Sequence, residues 1–190
     1  MNKKIKSVAV YCGHQPGNRP EYMQSAHKIG ELLAQNNLTL IYGGSNAGLM
    51  GAVATGSLEN GGHILGISTH EVVALQEPTL DGIDVKIVDG LSKRKQKMYD
   101  LADAFVILPG GIGTLDEMTD ILTKQQVGES CKPIYIMNIA NYWEKLDAFM
   151  MVMRTEGFTP GVNVYNVHVI NTPEELIEKL INDDDFVTAI

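Results

Sequence analysis

Two rhythms of apolar and polar positions alternate along the chain. Compact apolar runs at residues 8–12, 38–42, 64–67, 85–88, 104–108, 133–137 and 164–170 have the length of strands. Between them, residues 21–36, 49–59, 93–102, 115–127, 143–156 and 173–181 read as helices, with apolar side chains spaced along one face, as at Ile29, Leu32 and Leu33. Glycine pairs punctuate the pattern: Gly43-Gly44 closes the second run, and Gly61-Gly62 stops the second helix. Unbroken apolar runs such as Phe105-Val106-Ile107-Leu108 suit strands covered on both faces. Repeated strand–helix order predicts an α/β fold: a mainly parallel sheet of about seven strands, with helices on both faces. No repeat, low-complexity tract or linker interrupts it, and 190 residues suit one domain spanning 1–190. The least regular segment, 68–84, reads as a loop beside the site.

In such sheets ligands bind beyond the carboxyl ends of the strands. Three strands end in glycine turns, at Cys12-Gly13, at Tyr42-Gly43-Gly44 and at Leu108-Pro109-Gly110-Gly111. These turns are expected to converge on one crevice, where Gly13, Gly43, Gly44, Gly110 and Gly111 let backbone approach a ligand. The sharpest segment is Pro109-Gly110-Gly111-Ile112-Gly113-Thr114-Leu115-Asp116-Glu117, between a strand and a helix. Amides at a helix start lack intrahelical acceptors and, with the helix dipole, make an anion site suited to phosphate. A plain tight turn capped by Thr114 is the competing reading, but three glycines exceed what a cap requires. Asp116 stands where a dinucleotide fingerprint has its third glycine, and no Gly-Lys-Ser/Thr follows to make a P-loop. A second glycine-rich turn, Gly43 to Gly51, is expected to form the other wall of the pocket.

Charge narrows the partners. A net charge of −8 offers no general basic surface, which argues against non-specific nucleic-acid binding. The exception is Lys93-Arg94-Lys95 with Lys97, at the start of a helix. A solvated face is the ordinary reading of such a cluster. Positive charge at a helix start is unfavourable, however, so a compensating anion is expected. Glu117 has two open readings: a helix-start acid like Asp116 and Asp120, favoured as a carboxylate by the dipole, or a catalytic carboxylate reaching a bound sugar. His14 has a place at the crevice or in a polar turn. His27, His63, His70 and His168 show no metal-ligand spacing, so no metal is expected. Cys12 reads as a buried apolar residue, and Met150, Met151 and Met153 as core or interface filler. Two cysteines without a disulfide pattern, and no signal peptide or membrane span, predict a cytoplasmic protein.

The pattern Pro-Gly-Gly-x-Gly-Thr-x-x-Glu at 109–117, preceded by Arg94-Lys95 and Met98, resembles the LONELY GUY family. Also matching are Tyr42-Gly43-Gly44, Gly48-Leu49-Met50-Gly51 and Ala102-Asp103-Ala104-Phe105, so the likeness runs from about Ser7 to Leu180. Members are cytokinin-activating phosphoribohydrolases, long labelled lysine decarboxylases. The resemblance implies a Rossmann-like three-layer sandwich and a homodimer. It also implies hydrolysis of the N-glycosidic bond of a purine (cytokinin-type) nucleoside 5′-monophosphate, with no cofactor. Position by position, Arg94 and Glu117 match the catalytic pair. Lys95, Gly111, Ile112, Gly113, Thr114, Leu115, Asp116 and Thr123 match substrate contacts. The chain departs from the family at Leu91-Ser92, at Ser68-Thr69-His70, at Ile112 and at Lys124, and a family acid falls near Gln76 or Glu77. These departures surround the base pocket and leave the identity of the base open. A nucleotide or molybdenum-cofactor carrier on the same fold is the alternative. A lysine decarboxylase is disfavoured, because no lysine sits in a recognisable pyridoxal phosphate context.

Overall fold

A computed structural model describes residues 4–75, 81–159 and 165–182. Seven parallel strands form one sheet: β1 (Ser7–Tyr11), β2 (Thr39–Tyr42), β3 (Ile64–Ser68), β4 (Asp84–Ile87), β5 (Ala104–Ile107), β6 (Ile134–Met137) and β7 (Val167–Ile170). Their order across the sheet is β4-β3-β2-β1-β5-β6-β7. The direction of winding reverses between β1 and β5, which pair in register from Val8 with Ala104 to Tyr11 with Ile107. Connections leave these two strands in opposite directions, so a crevice opens beyond their carboxyl ends.

The helices are α1 (Pro20–Gln35), α2 (Gly48–Glu59), α3 (His70–Leu75), α4 (Leu91–Leu101), α5 (Ile112–Gln126), α6 (Glu144–Thr155) and α7 (Pro173–Asn182). Alternate strand residues face two separate cores. Val8, Val10, Leu40, Tyr42, Val106 and Leu108 meet α1, α2 and α7 on one face. Ala9, Tyr11, Ile41, Ile67, Phe105 and Ile107 meet α4 and α5 on the other. Helices on both faces explain why β5 and β6 are buried along their whole length, whereas the edge strand β4 exposes Asp84, Lys86 and Ile87. In α1, Tyr22, Ala26, Ile29 and Leu33 repeat at helical spacing and are buried, each large apolar side chain contributing roughly 1.5–3 kcal/mol.

The structure differs from the sequence reading in two places near the site. The segment 68–84 is not all loop, because α3 occupies His70–Leu75. Helix α5 begins at Ile112 rather than at Leu115, so half of the glycine segment is already helical. Glycines lower helix propensity, which hides that first turn in the sequence. At β7, ordered pairing begins at Val167, and residue 164 lies outside the described residues.

Candidate functional site

Two strand ends build the floor of the site. The Gly13 amide donates to the Pro109 carbonyl at 3.0 Å, tying the turn after β1 to the turn after β5. A Cβ on Gly110 would collide with the Thr114 hydroxyl and the Gly13 amide, so only glycine allows this closure. Gly111 is the N-cap of α5 and makes no side-chain cap bond, which leaves the first amides of the helix directed outward. Thr114 is therefore not the cap. It is buried in the first turn against Gly110.

Above that floor lies a cleft of about 550 Å³, within the size range of small-molecule sites. Gly13, Gly110, Gly111, Ile112, Gly113 and Thr114 line it, together with Arg94 and Glu117. His14 and Cys12 also border it. Burial pushes the Cys12 thiol well above its ordinary range, and the charge of Glu117 pushes it further, which disfavours the reactive thiolate.

The basic cluster divides three ways. Lys93 projects into solvent beside Asp89. Arg94 turns inward: its Nη1 lies 2.8 Å from Glu117 Oε1, and its Nε donates to the Ile67 carbonyl at 2.9 Å. Arg94 is 7% exposed and Glu117 6%. Lys95 bridges on the outside to Asp116 at 3.0 Å and Asp120 at 3.4 Å. Thus two consecutive residues of α4 pair with acids of α5, one pair buried and one at the surface. The compensating anions are protein carboxylates.

Burial raises the Glu117 carboxyl above its usual range, against the opposing pull of Arg94. The helix dipole favours the opposite shift, but six residues into α5 its influence has faded while desolvation is nearly complete. A carboxyl with raised affinity for protons, facing a cleft, suits acid–base or electrostatic work on a ligand.

Other residues matched from the sequence fall elsewhere. Gly43 packs against Arg94, where a Cβ would lie 2.6 Å from Nη2. Gly44 packs against Val85 and Ser68 and does not border the cleft. From the second glycine-rich turn it is Leu49 and Met50 that reach the wall, while the amide of Leu49 is taken by the Gly13 carbonyl at 3.0 Å. Leu115 leans on the core. Lys95, Asp116 and Thr123 border a neighbouring depression between α4 and α5. Gln76 and Glu77 lie outside the described residues. Tyr22, Val72 and Tyr142 also line the cleft, and no motif announced them. Only Asn141, a residue tolerant of left-handed backbone, hinted at the sharp turn that brings in Tyr142.

The model of a family described as possible lysine decarboxylase matches residues 50–180. A cytokinin riboside 5′-monophosphate phosphoribohydrolase of Rhodococcoides fascians is 37% identical over 158 residues, covering 82% of this chain and 80% of the relative. The chain belongs to the LONELY GUY family. An Arabidopsis thaliana enzyme of the same name is 32% identical over 188 residues, 98% of this chain and 86% of its own. Among solved structures, a molybdenum cofactor binding protein from Rippkaea orientalis superimposes with a TM-score of 0.66 at 24% identity, covering 93% and 94% of the two chains. A molybdenum cofactor carrier protein of Chlamydomonas reinhardtii gives 0.68 at 20% identity, covering 95% and 99%. These structures share the Rossmann-like fold, and at that identity the likeness speaks for fold alone.

Proposed function

We propose that this chain is an N-glycosyl hydrolase acting on a purine nucleoside 5′-monophosphate of the cytokinin type, releasing free base and ribose 5-phosphate. The observation that carries the reading is one continuous segment, Gly110 to Glu117. It opens with free helix amides and ends, within the same cleft, on a buried carboxylate paired to Arg94. In this reading the amides of Gly111, Ile112 and Gly113 hold the phosphate, beside Gly13 and Gly110. Breaking the C1′–N bond leaves its electron pair on the base and builds positive charge on the ribose. Water supplies hydroxide to C1′ and a proton to the departing nitrogen. Glu117 stabilises the cationic sugar or receives the proton of the attacking water. Arg94 fixes the carboxylate and keeps one Glu117 oxygen engaged. Anchoring the phosphate turns binding energy into orientation at C1′. Lys95, Asp116 and Thr123 enter as further substrate contacts through their motif positions.

Among the described residues no lysine lines the cleft, which weighs against a pyridoxal phosphate decarboxylase. We include a homodimer in the reading. Its support is the exposure of four large apolar side chains on and just after α6, Phe149, Met151, Val152 and Phe158. A reduced cytoplasmic setting is also part of it, supported by the unpaired cysteines Cys12 and Cys131. No helix among the described residues is long and apolar enough to cross a membrane. Incubation with AMP and with N6-isopentenyl-AMP, followed by chromatography, tests the activity. Release of free base is expected, and binding without any release would overturn the enzyme in favour of a carrier.

A further inference from the structure

The cleft has a wall that no glycine-ended turn supplies. After β6 the chain makes a 3-10 turn, Ile139–Asn141, in which two successive non-glycine residues are left-handed: Ala140 at φ 51° and Asn141 at φ 60°. Such backbone is unfavourable for alanine and persists only where its surroundings impose it. Here they do. The Asn138 amide donates to the Ile170 carbonyl at 2.8 Å, and the Asn138 side-chain oxygen accepts the Trp143 amide at 2.9 Å. The strained turn delivers Tyr142 to the anion loop. Its hydroxyl donates to the Gly110 carbonyl at 2.6 Å, and its ring stands edge-on to Tyr22 and Trp143.

We propose that Tyr142 is a positioning residue of the phosphate loop, which it acts on by locking the Gly110–Gly111 peptide plane. The inference rests on reading the cleft as a nucleotide phosphate site. A peptide between two glycines flips at little steric cost. In a planar trans peptide the carbonyl and the next amide point in opposite directions. A flip would therefore turn the Gly111 amide away from its place at the helix start and present the Gly110 oxygen in its stead. A carbonyl oxygen facing phosphate repels it. The Tyr142 hydroxyl engages that oxygen and holds it. The residue acts on the ligand through the loop, not on the reacting bond.

The test is Tyr142→Phe, which removes one oxygen from a residue 41% exposed and keeps both ring contacts, so the fold is retained. Calorimetric titration with ribose 5-phosphate and with inorganic phosphate is the readout. Binding of both is expected to weaken by about three- to tenfold, the range set by one hydrogen bond. KM for the nucleotide rises by the same factor, while kcat changes less than twofold. Tyr165→Phe is the control: it loses a tyrosine bond to Gln126 outside the cleft and leaves binding unchanged. If Tyr142→Phe binds both probes as tightly as the unsubstituted protein, the role of Tyr142 is overturned. If the unsubstituted protein binds neither probe, the phosphate reading beneath it fails instead.

Discussion

At the scale of single residues, the proposed chemistry rests on Glu117 and Arg94. A buried ion pair is a poor source of stability, because desolvating two charges offsets their attraction. Its place at 2.8 Å inside a ligand-sized cleft fits the proposed role of the carboxylate there. Because burial raises the Glu117 carboxyl, its protonated form persists to higher pH than an ordinary glutamate near 4.3. A carboxylate that must be ionised to act then gives a kcat/KM profile whose acid limb lies above that value, and the pH–rate profile checks it. Stability carries the opposite sign. A raised folded value favours the fold at low pH, and the contribution is lost as pH climbs from about 4.3 through the folded value. The melting temperature of the natural protein minus that of Glu117→Gln should therefore fall as pH rises across that window. A difference independent of pH would show that Glu117 titrates normally.

At the scale of elements, the glycines of the proposed phosphate loop separate into two kinds. Gly110 is closed in by Thr114 and Gly13, whereas a Cβ on Gly111 would meet nothing within 4 Å. Gly111 borders the cleft, the space a phosphate would fill in the proposed function. Gly111→Ala should melt like the natural protein but weaken ribose 5-phosphate binding at least tenfold, since a methyl group displaces the anion. Gly110→Ala should lose binding and also destabilise the fold by about 1–3 kcal/mol through overpacking. Denaturant melts and titrations of both variants distinguish the two cases. The loop, its helix and the buried strand before it were legible because apolar runs and glycines mark them directly. The start of α5 and the short α3 were not, since glycine and short irregular segments carry weak helical signals. Tyr142 was illegible for a different reason. Its place depends on the left-handed turn after β6, and Ala140 gives no warning of such a backbone.

Across the whole molecule, the reversal of winding between β1 and β5 gathers residues far apart in sequence: Gly13, Arg94, Glu117 and Tyr142 share one cleft. Strand alternation predicted that architecture; of the three glycine ends, those after β1 and β5 border the crevice, while Gly43 and Gly44 after β2 do not. The pairing of Arg94 with Glu117 was not visible from spacing, because it depends on the packing of α4 beside α5. The exposed apolar side chains of α6 belong to this scale too. No residue of α6 is buried, and the proposed dimer would cover some of Phe149, Met151 and Val152. Light scattering should give twice the 20.8 kDa mass of the chain, and Phe149→Glu should return it to the single mass. A natural protein that scatters as a monomer would overturn the dimer.

The proposed double role of one segment, to anchor a nucleotide and to cleave it, is probed by comparing base release from AMP and N6-isopentenyl-AMP by the natural protein and by Glu117→Gln, with ribose 5-phosphate affinity measured on both. Equimolar base and ribose 5-phosphate are expected from the natural protein. A loss of turnover of at least about 10²-fold is expected in the variant, with ribose 5-phosphate affinity within a few-fold of the natural value. Undiminished turnover by Glu117→Gln, or no base released from either nucleotide by the natural protein, would contradict it.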